Sequence, residues 1–261
     1  MGQKSYFYPM NQKSVVFLGS KPIGYCCLQY LIAQQEDLNI TVTGVLTQRR
    51  AEFDGYNDLA ALAESHHIPV LDHPDDLPEC DILYSVQYHK ILTQAHIDKA
   101  RQIAVNLHMA PLPEYRGSNQ FSFALLDKKE EFGTTIHVMD SRIDHGDILF
   151  QRRFPIPDNC WVHQLYERTF DASSRLFKQT LAHVVKGNYQ RLPQQDLIPS
   201  KGTALHFRHE MADLKRIDLN WDAEKIARHI RATAMPGFEP PYCDVDGTKV
   251  YFSTPFNNGR P

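Results

Sequence analysis

The sequence predicts an α/β protein with a Rossmann-like, doubly wound, mostly parallel sheet and a small C-terminal region made of a helix and a β-hairpin. Three observations carry this. Short apolar, β-branched runs alternate with segments of helical spacing. The 261 residues, 42% hydrophobic and 23% charged, suit one large domain with an appendage and exclude a disordered chain. Beyond Gly187 the composition shifts to Pro, Gln and Ser, which separates a smaller C-terminal region from the rest.

Residues 14–19 (SVVFLG) form an apolar run closed by a glycine turn, and Pro22 stands where a first helical turn tolerates it, so a helix follows over 23–35. Residues 39–47 (NITVTGVLT) make a second β-branched run, and Leu59, Leu62 and Ala63 give 56–67 helical spacing. Strands at 81–86 and 103–108 come next, separated by a short helix at 93–100. In such an alternation the strands run parallel and ligands gather at their carboxyl ends. A Pro-rich loop at 109–117, a helix at 118–127, strands at 134–139 and 148–154, and a long amphipathic helix at 161–186 follow. Residues 192–202 read as a connection. After it, 222–234 is helical with Ile226, Ile230 and Ala234 on one side, and Asp246-Gly247 marks a tight hairpin within 242–253. The expected organisation is an N-terminal extension at 1–13, an α/β domain at 14–190 and a helix-and-hairpin region at 191–261.

With 28 Lys plus Arg against 31 Asp plus Glu, the formal charge of -3 argues against a surface built throughout to grip nucleic-acid phosphates. The longest apolar run, near 82–86, is far short of the ~20 residues that cross a bilayer, so no membrane association is expected. The opening MGQKSYFYPMNQKS lacks the apolar core of a signal peptide, and the expected location is the cytoplasm. The five cysteines, Cys26, Cys27, Cys80, Cys160 and Cys243, include no C-x-x-C pair and read as reduced, mostly buried thiols.

Four places bear on chemistry. Gly19-Ser20-Lys21-Pro22-Ile23-Gly24 feeds a helix N-terminus, where free N–H groups and the helix dipole favour an anion. It lacks the middle glycine of a dinucleotide fingerprint, and an ordinary β–α turn is the plain alternative. Asn106 and His108 lie two apart at a strand end and so project from one face, to serve catalysis or to satisfy the turn. Residues 139–147 carry Asp140, Asp144, Asp147 and His145, which with His108 are metal-ligand types; none of the 13 histidines has a discriminating spacing, and no metal is expected. Phe238 and Tyr242 flank Glu239-Pro240-Pro241 and either stack a nucleobase or pin the hairpin.

Taken together, AVNLHMAPLPEYRG at 104–117 and SRIDHGDIL at 141–149 resemble the folate-dependent formyltransferases, a family that includes the glycinamide ribonucleotide, methionyl-tRNA and sugar-nucleotide enzymes. The similarity runs from about residue 15 to 177. It implies that Asn106, His108 and Asp144 are the catalytic residues and that N10-formyltetrahydrofolate is the formyl donor. The chemistry agrees, because the nucleophile is the substrate's own amine and no Ser or Cys is required. Asn106 would hold the developing oxyanion, His108 would be the general base, and Asp144 would orient and tune it. The resemblance further implies that the pterin lies against Val86, Gln87, Tyr88, His89, Lys90, Ile91 and Leu92 and against Met139, Asp140 and Ile143. Gly19, Ser20 and Lys21 would then face substrate phosphates, with Met109, Arg116, Gly117, Asn119, Phe238 and Tyr242 completing the substrate side.

For the acceptor, the short C-terminal region and the slightly acidic charge of the chain as a whole argue against tRNA. The segments at 86–90, 116–121 and 236–242 are most similar to sugar-nucleotide N-formyltransferases, which implies a nucleotide-linked amino-dideoxy sugar, a role in O-antigen and lipopolysaccharide synthesis, and a homodimer built by C-terminal elements. The preferred acceptor is dTDP-4-amino-4,6-dideoxyglucose. A 3-amino or GDP-linked sugar and methionyl-tRNA are the alternatives. From other classes come a catalytically silent sugar-nucleotide-binding relative and a hydrolase that releases formate. His145 departs from the family pattern and is expected to face solvent; residues 1–13 have no assigned role.

Overall fold

The computed structural model describes residues 12–48 and 58–254. Contacts divide the chain into two compact units, one running to Leu107 and taking back Lys178–Tyr189, the other holding His108–Phe177 and Gln190 onward. Most of the expected extension at 1–13 and the start of the expected helix at 56–67 lie outside the described residues.

In the first unit β1 (Lys13–Gly19), β2 (Ile40–Leu46), β3 (Val70–Leu71), β4 (Cys80–Val86) and β5 (Ala100–His108) are ordered β3-β2-β1-β4-β5, all parallel. Strands covered on both faces need apolar residues at successive positions, and Val15, Val16, Phe17 and Leu18 of β1 are each no more than 1% exposed. The helices are α1 (Pro22–Ala33), α2 (Gln35–Leu38), α3 (Leu59–Ser65) and α4 (Gln94–Ile97). Pro22 occupies the first turn of α1, where its missing N–H costs nothing. Asp58 caps α3 by accepting from the N–H groups of Ala60 and Ala61. The helix expected at 93–100 is a single turn, because the backbone from Lys99 onward pairs with β4.

The second unit contains β6 (Tyr115–Gly117), α5 (Gln120–Leu126), the antiparallel pair β7 (Glu131–Val138) and β8 (Ile148–Pro155), and most of α6 (Val162–Lys186). Then come α7 (Gln194–Lys201), β9 (Ala204–His206), α8 (Glu210–Leu214), α9 (Ala223–Thr233) and the hairpin β10 (Tyr242–Val245) to β11 (Thr248–Tyr251). Its core joins Tyr115, Leu125, Phe132, Leu165 and Ala232. Asp246 and Gly247 both have positive φ, 51° and 80°, as the expected two-residue turn requires. The supposed connection at 192–202 is corrected. It holds α7, which starts after Pro193 and tolerates Pro199 inside it, and β9 pairs in parallel with β6. Among the described residues no helix is long and apolar enough to cross a membrane.

Candidate active site

In the second unit His108, His137 and Asp144 come together. His108 ends β5 and is 3% exposed. Its Nε2 lies 2.7 Å from the Tyr115 carbonyl oxygen, which only accepts, so Nε2 carries the proton and Nδ1 faces Asp144 Oδ2 at 3.5 Å. Asp144 stands in the turn between β7 and β8 with φ of 47°, a left-handed backbone unusual for a residue with a Cβ. Its carboxylate accepts the Gly117 N–H at 2.9 Å. His137, near the end of β7 and 2% exposed, places Nε2 3.3 Å from Asp144 Oδ1 while Nδ1 donates to the Val138 carbonyl at 2.8 Å.

Burial alone pushes the Asp144 carboxyl up. The charge of His108, the hydrogen bond from His137 and the Gly117 N–H more than offset that, and the carboxyl is held well below the usual carboxylate range. Both rings already give one proton to a carbonyl, so the nitrogen each turns toward Asp144 is the one that makes it an imidazolium. A proton arriving at His108 Nδ1 is therefore stabilised by an adjacent, ionised carboxylate.

The backbone around the triad leaves little freedom. A Cβ on Gly146 would sit 2.0 Å from the Val138 oxygen, and one on Gly117, with φ of 82°, would sit 2.2 Å from the His206 oxygen. Thr135 Oγ1 accepts from Leu112 N–H at 3.2 Å and donates to the Ala110 carbonyl at 2.8 Å, tying the Pro-rich loop to β7.

Of the other expected residues, Asn106 is half-buried in β5, two positions before His108, so strand geometry sends both side chains to the same side. Met109 is 1% exposed. The Nε of Arg116 is buried without a hydrogen-bond partner among the described residues. Asn119, at φ of 59°, donates to the Phe207 carbonyl at 2.8 Å and so is spent within the fold. Phe238 is 65% exposed, and Tyr242 sits in the hairpin across from Tyr251 and beneath Lys249 Nζ. Met139, Asp140 and Ile143 are half-buried, and Asp140 with Arg142, His145, Asp147 and Gln194 lines a cavity of about 250 Å³. The expectation that His145 faces solvent is corrected: its side chain is 20% exposed and its Nδ1 lies 3.0 Å from Asp140 Oδ2.

In the first unit the turn after β1 meets the loop after β4. Ser20 Oγ and His89 Nδ1 are 2.9 Å apart, and Lys21 Nζ donates to Gln87 Oε1 at 3.2 Å. Val86 is buried, Gln87 has φ of 52°, Tyr88 is half-buried and Lys90 exposed; Ile91 is 70% exposed whereas Leu92 is 4%.

Two residues of the site escaped the sequence reading. His137 hides in the β-branched run TTIHV, where the only signal is alternation that puts it on the face of Thr135. Gln194 was absorbed into an apparent connection.

Comparison with known proteins gives a consistent result. A family model described as formyl transferase matches residues 72–181. A methionyl-tRNA formyltransferase of Halalkalibacterium halodurans is 28% identical over 233 residues, 83% of this chain and 70% of that protein. The solved sugar N-formyltransferase of a Shewanella species matches with TM-score 0.76 at 21% identity, over 96% of this chain and all (100%) of that one. An N-formyltransferase from Helicobacter canadensis, solved with folinic acid and dTDP-3-aminofucose, matches with TM-score 0.72 at 21% identity, over 90% and 85% of the two chains.

Proposed function

We propose that this chain is an N-formyltransferase of the folate-dependent formyl transferase family and that it formylates the amino group of a nucleotide-linked amino-dideoxy sugar, with dTDP-4-amino-4,6-dideoxyglucose the preferred acceptor. N10-formyltetrahydrofolate supplies the formyl group. The observation that carries the reaction is the buried, ionised Asp144 beside His108. The acceptor reading is supported by the end-to-end likeness to solved sugar N-formyltransferases.

In this reading Asn106 donates a hydrogen bond to the formyl oxygen as charge develops there. His108 takes the amine proton at Nδ1, the nitrogen left for it by the Tyr115 carbonyl. Asp144 stabilises the imidazolium, and His137 keeps the other carboxylate oxygen in place. The pterin is assigned to 86–92 and 139–144, and the Gly19–Ser20–Lys21 turn to substrate phosphates, with the exposed Lys21 beside it. The protein is assigned a homodimer through the hairpin region, where Val245, Val250 and Tyr251 are 47%, 48% and 40% exposed. O-antigen sugar synthesis in the cytoplasm is the setting that this acceptor entails.

Methionyl-tRNA is the second reading, favoured by the sequence relatives. The deciding experiment offers purified protein N10-formyltetrahydrofolate with 3- and 4-amino dTDP- and GDP-sugars and with methionyl-tRNA, scored by mass for one added formyl group. Formylation of an amino sugar alone upholds the proposal. Formylation of tRNA alone, or formate release without an acceptor, overturns it. Asn106→Ala should lower turnover about 100- to 1000-fold with acceptor KM little changed, as expected of a group acting on the developing oxyanion.

A further inference from the structure

The stretch after α6 looks unremarkable by composition, yet it reaches the Asp144 turn at two points and β6 at a third. Leu192 and Ile148 exchange both of their backbone hydrogen bonds, each at 2.9 Å. Gln194, at the start of α7 and 4% exposed, spends both hydrogens of its side-chain amide: Nε2 donates to the Asp144 carbonyl at 3.0 Å and to the Gly146 carbonyl at 2.8 Å. Finally β9 lies along β6, and Ser118 N–H donates to the His206 carbonyl at 2.8 Å. That matters because β6 supplies the Tyr115 carbonyl that fixes His108 and the Gly117 N–H that fixes Asp144.

The two carbonyls that Gln194 bridges flank His145, at the point where the chain leaves the left-handed Asp144 and enters Gly146. On the far side of the turn, Gly146 is pressed against Val138 and the Val138 N–H donates to the Asp147 carbonyl at 2.9 Å. The turn is thus held from β7 on one side and from a single side chain on the other. Without the amide, two carbonyls in a closed environment would lose their donor, and the turn would relax toward any conformation that recovers one.

We propose that Gln194 is a positioning residue for formyl transfer: by clamping the Asp144 and Gly146 carbonyls it holds the Asp144 carboxylate between His108 and His137. The rate prediction rests on the formyltransferase reading; the placement of the carboxylate does not. Two variants separate the cases. Gln194→Met keeps length and bulk and removes both donors. Gln194→Glu keeps the shape but donates only when its carboxyl is protonated.

Gln194→Met is expected to lower kcat about 10- to 100-fold, with acceptor KM changed less than about threefold, since small misplacements of reacting groups cost rate before binding. For Gln194→Glu, the activity relative to wild type should climb as pH falls and the new carboxyl gains its proton. In the ligand-free protein, the ring NMR signals of His108 and His137 at fixed pH should move in Gln194→Met toward their positions in Asp144→Asn, since both rings lie against the Asp144 carboxylate. Wild-type kcat and unmoved ring signals in a folded Gln194→Met, whatever its Tm, would overturn the proposal. Should Gln194→Met not fold, a pH-independent ratio for Gln194→Glu overturns it equally. If the wild-type protein formylates no acceptor, the functional reading fails while the ring signals still decide the role of Gln194.

Discussion

The turn after β1 and the turn between β7 and β8 look alike as text, each a glycine-marked polar segment at a strand end, and they differ in what the glycines are for. In the first, a Cβ on Gly19 would lie 2.8 Å from a Leu59 methyl and one on Gly24 3.3 Å from the same methyl, so both glycines are explained by helix-on-strand packing against a flexible side chain. Its polar groups are linked by two hydrogen bonds, and Lys21 is at the surface. In the second, Gly146 abuts a backbone oxygen, as Gly117 of β6 does, and a carboxylate 12% exposed meets two imidazoles and the Gly117 N–H. On the proposed reading, the buried charge ringed by titratable partners serves proton movement and the packed turn with its surface cation serves an anion.

The comparison breaks most readily at Asp144. Asp144→Asn should cut formylation turnover by about 100- to 10000-fold, the range for loss of acid–base assistance, whereas Lys21→Ala should act mainly on acceptor KM. The same carboxyl gives a pH signature. Because its folded pKa is depressed, it stabilises the native state above the unfolded value of about 4 and loses that contribution as pH falls below it. The Tm gap between wild type and Asp144→Asn should therefore narrow as pH is lowered from 7 toward 3; a gap that widens would mean that the carboxylate is not held ionised by its neighbours.

Next in size is the glycine pair. Gly146→Ala forces the backbone off the Val138 oxygen and should cost more than about 3 kcal/mol, lowering Tm by roughly 10 °C for a chain this long. Gly24→Ala meets a movable methyl and gains up to about 1 kcal/mol of helix propensity, so its net effect should stay within about 1 kcal/mol. Equal Tm losses would erase the distinction. The smallest effect belongs to Ser20→Ala, which removes one hydrogen bond to His89 and should cost about 1 kcal/mol or less with kcat changed less than tenfold.

Much of the fold was legible because strands and helices alternate with clear punctuation: SVVFLG ahead of Pro22, NITVTGVLT, and Asp246-Gly247 between β10 and β11. What failed was local. Residues 192–202 carry two prolines and no apolar stripe, and α7 forms there all the same, with Gln194 buried at its first turn. In the candidate site, His108 and Asp144 were legible through a motif and meet in the structure, whereas His137 was not, since a histidine inside a β-branched run carries no mark of what it faces across the sheet. His145 was expected at the surface, and Asp140, five residues earlier, draws it in.

The parallel pairing of β9 with β6 has a practical consequence for anyone who trims or recombines this chain. A composition change near residue 191 invites a junction there, as though everything beyond were an exchangeable module. A cut at that point would strip the neighbour from the strand that carries Tyr115 and Gly117. Grafts from relatives should place their seam downstream of His206, so that host and donor each keep a whole strand pair.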